Sequence, residues 1–253
     1  MAGSVSGWCR TLCGLALAAV GLHARADDAL RIVTEEFPPY NMTQNGKITG
    51  LATDVLQAVL KEVNMQGNIQ SMPWARAYEV AQSSDTVLIY SITRTPAREN
   101  LFKWIGVVAP ADWCLFSLQG KPIKLSHLDE AKARQVATVN QDVGEQFLVS
   151  KGFAIGKNLQ SSAKYEFNYE KLKLGRVDLW VSNVLVAAHL ARQAGDDPAK
   201  TLTCVYPLEE LSSESNSMAF SLKTPDELVV RFRAALEAIK KNGTFDALKR
   251  KWL

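Results

Sequence analysis

The sequence predicts an α/β protein in which sheets of parallel strands are covered by helices. Three observations carry this. From Leu30 onward, short apolar runs of strand length alternate with amphipathic segments of helical period. Helix-starting and helix-ending residues fall at the boundaries between them. Polar and charged residues gather where the apolar runs end, which is where such sheets bind ligands beside helix N-termini.

With 253 residues and 47% hydrophobic composition, the chain suits one large domain or two modest lobes. Its formal charge is +3, from 29 Lys and Arg against 26 Asp and Glu, with no basic tract, so neither a nucleic-acid partner nor a strongly acidic one is implied. It shows no internal repeat and no low-complexity segment.

Residues 1–26 read as a signal peptide. Arg10 precedes the apolar run Leu12 to Leu22, and Ala24-Arg25-Ala26 fits a cleavage site after Ala26. The run is too short to span a bilayer. Loss of Arg10 and Arg25 leaves 27 of the 29 basic residues against 26 acidic ones, a mature charge of about +1. Cys9 and Cys13 leave with the signal, and Cys114 and Cys204 remain, each in an apolar strand-like run. In an oxidising compartment they are expected to pair, with two buried free thiols as the alternative. The mature chain keeps only His127 and His189, far apart, and has no metal-ligand spacing. Neither a metal nor another cofactor is expected.

Leu30 to Thr34 reads as the first strand, and Glu35-Glu36-Phe37-Pro38-Pro39-Tyr40 as a stiff loop presenting acids and aromatics. A turn at Gly46-Lys47 leads to a helix opened by Thr53-Asp54. A strand at Ile69 to Met72 precedes a helix starting at Pro73, with Trp74 and Arg76 at the junction. The buried run Thr86 to Tyr90 then ends in Ser91-Ile92-Thr93-Arg94-Thr95-Pro96-Ala97-Arg98, hydroxyls and arginines suited to gripping a carboxylate.

In the next region, Trp113 to Leu118, Gln135 to Val139, Lys164 to Phe167 and Asp178 to Ser182 read as strands. Asp142 and Asn183 read as caps of the helices that follow the second and fourth of these, and equally as ligand groups at strand ends. Glu209 to Asn216 reads as an exposed crossing, Ser217 to Leu222 as a strand, and Thr224-Pro225-Asp226-Glu227 as a helix start; Thr244 opens the last helix.

Phe37-Pro38-Pro39-Tyr40, Gly46-Lys47-Ile48-Thr49-Gly50 before Asp54, Ser91 to Arg98, Gly175-Arg176-Val177-Asp178 and Gly243-Thr244-Phe245 together resemble the bacterial extracellular solute-binding proteins of polar amino-acid ABC transporters. The likeness runs in one order over nearly the whole mature chain. It implies a two-lobed periplasmic binding protein fold, with two crossing strands and ligand held in the cleft. Lobe 1 would be residues 27–112 plus 216–253, and lobe 2 residues 113–215. The implied function is a monomeric periplasmic receptor that binds a small polar solute and hands it to an inner-membrane permease. A dehydratase-like enzyme on the same fold, with Glu36 or Asp142 as acid, and a ligand-sensing module for a membrane sensor are the alternatives.

The resemblance assigns Arg98, three residues after Thr95, to the ligand carboxylate. It puts Ser91 and Thr93 at the ligand head, Phe37 on its side chain, and Trp74 and Arg76 near a side-chain-facing helix start. Two positions depart from the family pattern. Asn183 stands where an aspartate pairs with the ligand ammonium, and Asp142 where a threonine helps to hold the carboxylate.

Overall fold

The computed structural model describes Met1, Gly3 and residues 29–121, 123–213 and 215–253. Apart from Met1 and Gly3, the expected signal peptide, its cleavage site and its cysteines lie outside these residues. In chain order the first region forms β1 Leu30–Thr34, a hairpin of β2 Met42–Gln44 and β3 Lys47–Thr49, α1 Leu51–Glu62, β4 Gly67–Ser71, α2 Trp74–Ser83, β5 Leu88–Thr93 and β6 Phe102–Ala109. The second forms β7 Trp113–Leu118, β8 Val136–Val139, α3 Val143–Ser150, β9 Leu159–Ser162, α4 Tyr165–Lys173, β10 Leu179–Asn183, α5 Val184–Gln193, α6 Pro198–Thr201, β11 Leu202–Pro207 and α7 Glu209–Ser212. The chain then returns through β12 Asn216–Ser221 to α8 Asp226–Lys241 and α9 Thr244–Trp252.

Two five-stranded sheets result, ordered β4-β1-β5-β12-β6 and β11-β7-β10-β8-β9, each the centre of one lobe. They are mixed, not parallel as expected. β1 runs parallel to β4 and β5, while β12 is antiparallel to β5 and β6. In the second sheet β8 is parallel to β9 and β10, while β7 is antiparallel to β10 and β11. The reason lies in the crossings. β6 leads out of the first sheet where β12 enters it, and β7 enters the second where β11 leaves, so each such pair runs in opposite directions. Every residue of β5 and β12 is buried, which matches their central and near-central positions in the sheet.

The expected strand at Lys164 to Phe167 is the start of α4. Tyr165, Asn168, Tyr169 and Leu172 are its buried residues, spaced for one helical face, and the strand is β9, just before it. Helix α1 begins two residues earlier than Thr53. Its first amides donate to loop carbonyls, Leu51 to Pro39 at 3.0 Å and Ala52 to Tyr40 at 2.8 Å. Only glycine fits before it: at Gly50, with φ of 122°, a Cβ would lie 2.4 Å from the Tyr40 oxygen. Asn41 tightens the same loop, its amide nitrogen donating to Thr34 Oγ1 and the Glu35 carbonyl. The acid-and-aromatic loop is thus fastened to α1 at one end and β1 at the other. In the first turn of α1, Asp54 accepts from Lys251 Nζ at 2.7 Å and Trp252 Nε1 at 2.8 Å, which ties α9 to the first lobe. Among the described residues no helix is long and apolar enough to cross a membrane.

Cys114 on β7 and Cys204 on β11 form a disulfide between adjacent antiparallel strands, with Cα atoms 5.8 Å apart and a sequence separation of 90. Closing a loop of that length restricts the unfolded chain by about 4 kcal/mol. Replacing both cysteines by serine, measured by thermal unfolding, is expected to lower Tm on the order of 10 °C. An unchanged Tm would show that the crosslink contributes nothing.

Candidate functional site

Arg98 stands where the two lobes meet. It follows the end of β5 and is 1% exposed. Its guanidinium lies over two rings of α2, 5.4 Å from the centroid of Trp74 and 5.0 Å from that of Tyr78. Nη1 donates to the Thr93 carbonyl in the first lobe at 3.2 Å. Nε donates to Gln146 Oε1 at 3.0 Å and Nη2 to the Gln141 carbonyl at 3.4 Å, both in the second lobe. Trp74 Nε1 donates to that same Gln141 carbonyl at 2.8 Å. Burial lowers the guanidinium pKa, and the charge of Asp142 opposes this.

Both walls carry a non-glycine residue in the left-handed region, Ser91 with φ of 58° and Gln141 with φ of 61°. Such conformations cost on the order of 1 kcal/mol each and persist where neighbours hold them. Ser91 Oγ donates to Asn41 Oδ1, and the Gln141 amide donates to Glu145 Oε1 at 2.9 Å. At Gln141 the result is a carbonyl offered across the cleft just before α3. Thr93 hydroxyl donates to Asn216 Oδ1 at 3.5 Å, so both hydroxyls of the strand end are engaged inside the first lobe.

Two buried carboxyls face Arg98 from opposite lobes. Asp142 caps α3, accepting from the Val143 amide at 2.6 Å and from the Tyr165 hydroxyl. Glu35 is 6% exposed, and its carboxylate has no hydrogen bond or ion pair among the described residues. Burial first, then the charges of Asp142 and Glu166, push its carboxyl well above the usual range, with Arg98 pulling the other way. Burial also raises Asp142, but Tyr165, Arg98 and the Val143 amide favour its charged form. Burial thus favours the protonated form of Glu35, while Asp142 keeps partners for its charge. Sequence reading singled out Glu36, which lies on the rim. Its oxygens accept from the Thr43 amide and hydroxyl and the Ser71 hydroxyl at 2.7–2.8 Å. The signal for Glu35 was its place directly after the buried run of β1. Both glutamates line a cavity of about 240 Å³ that Lys164 closes from the second lobe.

Phe37 is 2% exposed and packs against Tyr40 and, across the cleft, Trp113 and Tyr165, with centroids 5.3, 6.0 and 5.2 Å away. Trp113 and Tyr165 were not among the expected site residues. Asn183 caps α5, its Oδ1 accepting from the Leu185 and Val186 amides at 2.9 and 3.3 Å and from the Tyr40 hydroxyl at 3.3 Å. Its one acceptor atom is thus engaged within the protein, as a cap of α5. Arg76 is exposed on α2 and pairs with Glu79 at 2.8 Å, outside the cluster.

Because Glu35 holds its proton more tightly folded than unfolded, its contribution is fully present at low pH. It is lost as pH rises from the ordinary carboxylate value, about 4.5, through the raised folded value. Thermal unfolding from about pH 5 to about pH 8 is expected to show Tm falling, and Glu35→Gln to remove most of that fall, a gain of a few °C at the upper end. Equal slopes for both proteins would refute a protonated Glu35.

The model of the bacterial extracellular solute-binding proteins, family 3, matches residues 30–253. An arginine-binding periplasmic protein of Mannheimia haemolytica is 25% identical over 240 residues, covering 91% of this chain and 92% of its own. Among solved structures, an ancestral arginine-binding protein bound to arginine superposes with a TM-score of 0.76 at 25% identity, covering 89% of this chain and 98% of its own. A histidine kinase sensor domain with similarity to periplasmic binding proteins reaches 0.78 at 20% identity, covering 89% and 96%, a likeness of fold. The chain belongs to the bacterial extracellular solute-binding proteins, family 3.

Proposed function

We propose that the protein is a periplasmic receptor that captures a small polar solute, an amino acid or a related carboxylate, by lobe closure and delivers it to the permease of an ABC transporter. The working unit is a monomer with lobe 1 at residues 27–112 plus 216–253 and lobe 2 at residues 113–215. The observation that carries this reading is Arg98: a buried guanidinium backed by two rings and bonded to backbone of both lobes. Its rigid fork suits a planar carboxylate, and rings on its faces leave the N–H edge for recognition. A solute arriving there replaces bonds that the lobes make with each other, so binding and closure draw on the same groups.

Family membership and the periplasmic relative support the solute-binding role. Ser91, Thr93, Phe37 and Trp74 shape and support the pocket around Arg98, and Asp142 balances its charge. Glu36 belongs to the outer end, beside Ser71 and Lys164.

A thermal-shift screen of residues 27–253 against amino acids, 2-oxo acids, dicarboxylates and polyamines tests this. At least one carboxylate is expected to raise Tm, and Arg98→Ala to weaken it about 100-fold, the loss of one bidentate charge-assisted contact of about 3 kcal/mol. A shift by a carboxylate-free amine that survives Arg98→Ala would overturn the assignment of Arg98. A probe consumed instead of retained would overturn the receptor reading.

A further inference from the structure

Two buried hydrogen-bond donors where β7 begins and β10 ends have no acceptor among the described residues. Trp113, 2% exposed, opens β7, and Asn183, fully buried, ends β10. The two pair directly across the antiparallel ladder, so their side chains stand side by side on one face of the sheet. Among the described residues neither Trp113 Nε1 nor Asn183 Nδ2 has a partner.

The orientation of the Asn183 amide is fixed. Its Oδ1 accepts from two backbone amides at the start of α5, and exchanging oxygen for nitrogen would set donors against donors. What remains is the NH₂ end. A buried donor left unpaired costs about 1–3 kcal/mol, and here two belong to directly paired residues of neighbouring strands. They are covered by the opposite lobe. Phe37 lies over the Trp113 ring, and the Tyr40 hydroxyl reaches Asn183. The start of α3 flanks the pair, since a Cβ at Gly144 would lie 3.7 Å from the Trp113 ring.

We infer that Trp113 and Asn183 form a donor pair that receives an oxygen of the bound solute, so that this end of the solute is an oxo, hydroxyl or carboxylate group and not an ammonium. This rests on the receptor reading and narrows its solute. With one carboxylate on Arg98, the fitting class is a 2-oxo, 2-hydroxy or dicarboxylic acid. An ammonium at the pair would face N–H groups in a desolvated place with no acceptor to offset its lost hydration.

The test is calorimetric binding of matched triplets to wild type, Asn183→Asp and Trp113→Phe. The triplets are glutamate, 2-hydroxyglutarate and 2-oxoglutarate; phenylalanine, phenyllactate and phenylpyruvate; and arginine with its 2-hydroxy and 2-oxo analogues. Aspartate caps a helix as well as asparagine does and still accepts from Tyr40, and phenylalanine keeps the ring contact with Phe37, so both variants should fold. Wild type is expected to bind the oxo or hydroxy member of at least one triplet about tenfold tighter than the amino member. Asn183→Asp should reverse that order, and Trp113→Phe should weaken the oxygen member roughly five- to tenfold while sparing the amino member. Wild type preferring the amino member, with binding that depends on Arg98, would overturn the inference and leave the receptor reading standing. An unchanged order in both variants would mean that the donors hold only a trapped water, which also overturns it. Silence of all three proteins across the triplets would overturn the receptor reading for this solute class and the inference with it.

Discussion

Closure turns on one backbone carbonyl, that of Gln141. It accepts from Trp74 Nε1 and Arg98 Nη2, so both principal side chains of the first lobe's wall share one oxygen of the second lobe, with Gln146 Oε1 beside it accepting from Arg98 Nε. The oxygen is available because Gln141 adopts a left-handed conformation that turns the chain between β8 and α3, with Glu145 holding its amide. On the facing wall Ser91 is strained in the same way, held by Asn41. Strain on both walls is stabilised by bonds inside each lobe, so each wall is set before the lobes meet.

Closure also sets the charge balance of the cleft. One guanidinium faces two carboxyls, one from each lobe, and only Asp142 has partners that keep it ionised. Glu35 is covered without a partner, so closure at neutral pH requires either a proton on Glu35 or a compensating charge beside it. The carboxyl most strongly disfavoured as a charge belongs to the first lobe.

Strand and helix positions were largely legible because both lobes bury apolar runs bounded by turn residues, as at β5, β10 and α8. Strand direction was not, because β12 and β7 are reached by crossing between sheets, and periodicity within a strand carries no sign of that. The segment at Tyr165 misled because alternating aromatics mimic a strand until the longer helical spacing to Leu172 is counted. Within the site, residues defined by their own segment, such as Arg98, Phe37 and Trp74, were found. Those defined by the other lobe were missed, Trp113 and Tyr165 being distinguished by the ring of Phe37, and Glu35 was passed over for its neighbour Glu36. Asn183 shows the same limit. Its residue type announced a cap, but only the engagement of its oxygen shows which end of the amide is left to face a solute.

On the proposed reading, Arg98 makes this cleft a carboxylate receptor. Equilibrium dialysis of wild type and Arg98→Ala against a bacterial small-molecule extract, with the retained solutes identified by mass spectrometry, tests it most directly. Wild type should concentrate a small carboxylate that Arg98→Ala leaves in the extract. Wild type that retains nothing, or a variant that retains the same molecule equally well, would contradict it.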